Sequence, residues 1–153
     1  MKKTRDVAPG IGVDSTPGFG KPVLAGTQVE VATVLAELAS GVPRESLKDT
    51  LGVTNQGMLA ALAYATDIVA QEPSSRDDNL REIAPGITAD GRVRFGKAVI
   101  KGTRVDAATV LGHLAAGDSI DAVADAYHLQ REGVLAALSY AHQIIAGEIV
   151  SAV

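Results

Sequence analysis

Leu59-Ala60-Ala61-Leu62-Ala63-Tyr64-Ala65 returns, 76 residues further on, as Leu135-Ala136-Ala137-Leu138-Ser139-Tyr140-Ala141. Working outward from this pair, the same offset aligns the chain with itself without a gap. Residues 7–72 match 83–148 at about 30 of 66 positions, which is the mark of an internal repeat. Val7-Ala8-Pro9-Gly10-Ile11 becomes Ile83-Ala84-Pro85-Gly86-Ile87. Phe19-Gly20-Lys21 becomes Phe95-Gly96-Lys97, and Ala32-Thr33-Val34-Leu35 becomes Ala108-Thr109-Val110-Leu111. With two copies, a pseudo-twofold pair is expected rather than a solenoid, which needs three or more repeats. The expected organisation is a tail over 1–6, a first unit over 7–72, a polar linker over 73–82 opening on Pro73, a second unit over 83–148, and a tail over 149–153.

Both units read alike. A strand over Ile11–Val13 leads through Gly/Pro-rich turns to a strand over Lys21–Leu24, and a further short strand is expected over Gln28–Val31. A first helix over Ala32–Ser40 stops at Gly41; its twin starts after Asp106 and stops at Gly117. A second helix opens on Pro43 and runs to Leu51, with its twin over Ser119–Tyr127. After Gly52-Val53, Thr54 caps a long third helix that runs to Ala70, in which Met58, Leu59, Leu62, Ala65, Ile68 and Val69 recur at helical spacing. The fold class is therefore α+β and mostly helical: two tandem units, each a short β element plus three helices with a helix-turn-helix, packed as an intramolecular pseudo-twofold dimer. Met58, Leu59, Leu62 and Tyr64, with Leu135, Leu138 and Tyr140, are the candidate interface, the third helices being expected to pair.

Composition narrows the function classes. There is no Cys and no Trp, which removes disulfides, thiolate metal sites and Cys nucleophiles. The basic start, Met1-Lys2-Lys3-Thr4-Arg5-Asp6, lacks an apolar run behind it, so no signal peptide is read and a soluble, cytoplasmic chain is expected. His113, His128 and His142 have neither i,i+4 spacing nor twins, so no metal site is expected. Gly18-Phe19-Gly20-Lys21 has the wrong spacing for a phosphate loop, and Pro22 blocks the helix such a loop needs. Asp14 and Asp90 read as turn-stabilising carboxylates, and Thr27 and Thr103 as hydroxyls serving backbone groups. No nucleophile–base pair emerges, so no catalytic residue, no cofactor and no enzyme is expected.

In a DNA-binding helix-turn-helix the start of the last helix meets base edges. Those positions are Asn55 and Gln56 in the first unit, Gln130 and Arg131 in the second; Asn and Gln suit adenine, Arg suits guanine. The first unit carries seven acidic and three basic residues, a poor match for a polyanion. The second crowds Arg92, Arg94, Lys97, Lys101 and Arg104 into its β segment. The plainer reading of that cluster is a solvated, solubilising strand surface, paired with the acidic first unit.

The run Gly20-Lys21-Pro22-Val23-Leu24-Ala25-Gly26-Thr27-Gln28-Val29, followed by a Val/Leu-rich helix, Gly41, a Pro-led helix and Leu59–Ala65, resembles the prokaryotic domain-of-unknown-function family 433. Gly96-Lys97-Ala98-Val99-Ile100-Lys101-Gly102-Thr103-Arg104-Val105 and Leu135–Ala141 carry the same resemblance. It implies a winged-helix-like or homeodomain-like fold and an antitoxin-like role, binding a PIN-like ribonuclease toxin and, as a second ligand, operator DNA. The tandem arrangement departs from the single units usual in the family, Gln28 stands where the pattern has Arg, and only Ile149–Val153 follow Glu148, short of an antitoxin's wrapping extension. The expected function is thus a non-enzymatic binding protein of the antitoxin-like class. The competing expectation is a structural adaptor that self-associates or binds another protein without touching DNA, for which small residues on the third helix allow close helix contact.

Overall fold

A computed structural model describes residues 4–14, 21–76 and 78–147. In the first unit, β1 (Thr4–Ala8), β2 (Ile11–Asp14) and β3 (Pro22–Leu24) precede α1 (Val31–Ala39), α2 (Arg44–Thr50) and α3 (Asn55–Ala70). The second repeats this with β4 (Arg81–Ala84), β5 (Ile87–Ala89), β6 (Val99–Ile100), α4 (Ala107–Ala115), α5 (Ile120–Ala126) and α6 (Arg131–Ile145). A 3-10 turn, Arg94–Gly96, lies between β5 and β6. Each sheet is antiparallel in the order β1-β2-β3 or β4-β5-β6, and the two share even a bulge, between Asp6 and Ala8 and between Glu82 and Ala84.

The sheets differ from the sequence pattern in two places. The strand expected over Gln28–Val31 is a single bridge, Val23 to Glu30, and α1 begins at Val31. Thr27 explains this. Its hydroxyl donates to the Leu24 carbonyl (2.8 Å) and accepts from the Val29 N–H (3.0 Å), closing a tight turn that leaves no length for a strand. Thr103 makes the same two bonds, to Ile100 and Val105. Secondly, β1 takes in residues 4–6, read as tail, and β4 takes the last two linker residues. These outer strands are charged and lack apolar alternation, so pairing rather than pattern makes them strands.

Hydroxyl caps form at Thr54 and Ser119, whereas Asp106, at the N-cap position of α4, makes no cap bond and gives its carboxylate to Arg94. Thr54 Oγ1 accepts from Gly57 N–H and Ser119 Oγ from Ala122 N–H, both at 3.0 Å; each satisfies an orphan donor of a first turn. The hairpin tips sit directly on the third helices. Gly10 and Gly86 have φ of 76° and 78°, and a Cβ there would lie 2.9 and 2.8 Å from the Cβ of Ala60 and Ala136. Both copies therefore keep Pro-Gly at the tip and a small residue on the helix beneath it.

One hydrophobic core serves both units. Its plan is an exchange: α3 lies chiefly along α4, and α6 along α1, while α3 and α6 meet less extensively. Val34, Leu35 and Leu38 of α1, Val110, Leu111 and Leu114 of α4, Met58 and Leu62 of α3, and Val134 and Leu138 of α6 are buried in it. The reciprocity of the exchange gives the pair its pseudo-twofold character.

Candidate functional site

The basic β segment divides at β6. Arg92, Arg94 and Lys97 lie in the loop joining β5 to β6, whereas Lys101 and Arg104 follow the other end of β6. Three of the five cations are engaged within the fold. Arg92 presents Nε and Nη2 to the carboxylate of Asp90 (3.0 and 2.8 Å), and its backbone N–H donates to the same group (2.9 Å). These bonds hold the Asp90 carboxyl below the usual carboxylate range and the Arg92 guanidinium above its own. Arg94 makes the same fork to Asp106 (3.0 and 3.1 Å), which likewise raises its guanidinium. Both carboxylates are buried, so each arginine is fixed in place. Lys101 reaches Glu82 at 3.3 Å; the Gly86 N–H and then Lys101 hold that carboxyl low. Lys97 and Arg104 are exposed and make no ion pair among the described residues.

At the helix-turn-helix, four residues separate α2 from α3 (51–54) and α5 from α6 (127–130). Gly52 has φ of 68°, and its twin His128 holds the same left-handed backbone at 56°, so the turn survives loss of the glycine. Asn55 and Gln56 are exposed on the first turn of α3. Gln130 is the exposed residue preceding α6, and Arg131, its first residue, gives Nη1 to the Asp121 carboxylate at 2.8 Å. Ile100 touches α6 at Gly133, where a Cβ would lie 2.9 Å from the Ile100 side chain. Lys101 and Arg104 thus follow a strand that rests on the start of α6, and Arg92, Arg94 and Lys97 precede it.

Of the interface candidates, Met58, Leu62, Leu138 and Tyr140 are buried and Leu59, Tyr64 and Leu135 half-buried. The third helices do serve the joint between the units and touch each other, but the main neighbour of each is the other unit's first helix, because α1 and α4 carry apolar faces that their own units leave largely uncovered. Two polar ties across this joint had no signal in the sequence. Arg44 donates through Nη2 to the Leu114 (3.0 Å) and Asp118 (2.6 Å) carbonyls and through Nη1 to Gly117 (3.4 Å), capping α4 of the opposite unit. His142 Nδ1 bonds the Ala32 carbonyl at 2.8 Å. Arg44 has Ile120 as its twin, so the capping is one-sided.

One acid–imidazole–hydroxyl chain is present. His113 bonds Asp118 through Nδ1 (3.0 Å) and the Tyr127 hydroxyl through Nε2 (2.7 Å), fastening the last turn of α4 to the end of α5. Gly18, Phe19 and Gly20 of the stretch compared with a phosphate loop lie outside the described residues. Among the described residues no group of three or more His, Cys, Asp or Glu could hold a metal ion, and no helix is long and apolar enough to cross a membrane. A cavity of about 420 Å³ opens where the end of α3 and the linker meet the second unit; Tyr140, Asp106, Lys97, Val69 and Ile83 are among its walls.

One family model, described as a protein of unknown function (DUF433), matches residues 11–65 and again 87–141, in step with the repeat. No curated protein and no solved structure matches the chain significantly. The two matches take in most of the sequence and fall on the two structural units, so the chain belongs to the DUF433 family and carries its domain twice.

Proposed function

We propose that this chain is a non-enzymatic binding protein of the antitoxin-like class, whose ligand is a partner protein of the PIN-like ribonuclease kind. The observation that carries this reading is the internal neutralisation of the basic segment. Arg92, Arg94 and Lys101 each meet a carboxylate of the same unit, and the formal net charge is −4. Phosphate-backbone binding draws its affinity from cations free to displace counterions, and in this segment only Lys97 and Arg104 lack a carboxylate among the described residues. A protein partner asks less of net charge and more of rigid, shaped surface, which a single shared core supplies.

The direct test is co-expression with a ribonuclease of that class encoded beside the gene. The expected result is a stable complex and suppression of RNA cleavage; failure of both would end this reading. A second reading, operator binding, is favoured by the exposure of Asn55, Gln56, Gln130 and Arg131 at the starts of α3 and α6. A gel-shift series on the gene's own promoter between about 50 and 200 mM salt tests it, and no retardation at the lowest salt would end it. The adaptor alternative predicts higher species in a solution mass measurement and is lost if the chain is strictly monomeric.

A further inference from the structure

Phe95 is the most exposed large apolar side chain among the described residues, at 83%. Its backbone is left-handed (φ 58°), as is that of Arg94 before it (φ 49°) and Gly96 after it (φ 79°). Two consecutive non-glycine residues in this region are unfavourable, and such strain persists only where the surroundings impose it. Here they do. Arg94 is forked to buried Asp106. Gly96 N–H donates to Val93 (2.9 Å), and Ser75 N–H donates to the Gly96 carbonyl (2.8 Å). The linker crosses so closely that a Cβ on Gly96 would lie 1.8 Å from the Ser75 oxygen. A turn clamped on these sides and strained at its centre holds an aromatic ring out in water. The repeat points the same way. Between residues 14–22 and 90–98 the chain keeps only the Asp, Phe, Gly and Lys that are Asp90, Phe95, Gly96 and Lys97 in the second unit.

We propose that Phe95, flanked by Arg92, Arg94 and Lys97, is the anchor by which this chain docks on its protein partner, and that the partner offers an apolar notch rimmed by carboxylates. The inference rests on the partner-protein reading above. Aromatic and Arg side chains dominate interface hot spots, and here both kinds are fixed beforehand. Arg92 and Arg94 spend Nε and Nη2 on buried carboxylates while remaining 61% and 46% exposed, so they lose little freedom on binding. Their outward edges and the Lys97 ammonium can only donate, which requires acceptors around the notch. Of the three cations only Lys97 lacks a carboxylate among the described residues, so the loop offers a polyphosphate backbone little free charge.

The test has two arms. In the first, Phe95→Gly is melted without partner. A melting temperature equal to or above wild type is expected, because glycine relieves the left-handed strain; a clear fall would show that Phe95 supports the fold and would overturn the anchor. In the second, the ribonuclease of the preceding section is titrated calorimetrically. Phe95→Ala should weaken binding at least tenfold, Lys97→Glu should weaken it severalfold at low salt, and Phe95→Tyr should restore it. Wild-type affinity in Phe95→Ala overturns the anchor and leaves the partner reading standing. A wild-type chain that does not bind overturns the partner reading, and the anchor's occupant with it. Binding of a short single-stranded RNA that is lost in Phe95→Ala would give this surface to nucleic acid instead, and would also overturn the proposal.

Discussion

Tyr140 and Asp90 give stability opposite dependences on pH. The Tyr140 phenol is 5% exposed, and burial first, then the nearby Glu72 charge, pushes its pKa up to about 12. A pKa raised in the folded state means stability fully present below the ordinary value near 10 and lost as pH climbs through the folded value. Between pH 10 and 12 wild type should therefore lose stability that Tyr140→Phe keeps, on the order of 2 kcal/mol, read from melts of both across that range. Asp90 behaves inversely, because the Arg92 bonds lower its pKa. Its contribution is present above the ordinary carboxylate range and is lost as pH falls through the lowered value. Asp90→Asn should melt below wild type at neutral pH, with the gap closing toward pH 2. Little of this was legible in the sequence. Asp90 reads as a turn residue, which it is, but nothing in Asp90-Gly91-Arg92 says that the arginine folds back onto the carboxylate. Phe95 did leave a signal, since Phe-Gly-Lys persists where the neighbouring loop residues change.

At the scale of elements, the contact of hairpin tip and third helix is the tightest repeated feature. Gly86→Ala would combine an unfavourable positive φ with a Cβ 2.8 Å from Ala136, so a loss of roughly 1–3 kcal/mol is expected by chemical denaturation. His128→Gly should do the reverse. It relieves a left-handed backbone at a position where the first unit already has Gly52, and a gain of up to about 1 kcal/mol is expected, offset in part by the freedom glycine adds to the unfolded chain. Elements were legible where a single residue type marks an end: Gly41 and Gly117 after the first helices, Thr54 and Ser119 before later ones. They were illegible where pairing decides. Charged β1 shows no pattern of its own, and the strand expected over Gln28–Val31 is replaced by a turn that Thr27 closes with one hydroxyl. The helix-turn-helix was readable from spacing alone, because a four-residue turn between short helices needs only a positive-φ position and a cap.

For the whole molecule the exchange of helices decides what counts as a folding unit. Each repeat covers only part of the apolar face of its own first helix: α1 is covered chiefly by α6 and α4 by α3. The repeat in the sequence implied two similar bodies, and apolar spacing marked which positions are buried. Neither could say which unit buries them, because a helix face looks the same to a neighbour in its own unit and to one in the other. The consequence is that the chain should unfold in one cooperative step, with calorimetric and van't Hoff enthalpies in agreement. Arg44→Ala, which removes the cap on α4 across the joint, should lower that single transition by roughly 1–3 kcal/mol without splitting it. Cutting the chain between residues 76 and 77 tests the exchange itself. Each half alone would expose the faces of its first and third helices, near the size at which a lone core is marginal. A half should therefore be unfolded, or pair with a second copy of itself, and an equimolar mixture should recover the native far-UV spectrum and the mass of one full chain. Halves that fold separately as stable monomers would show that each repeat closes its own core, and the helix exchange would then be wrong.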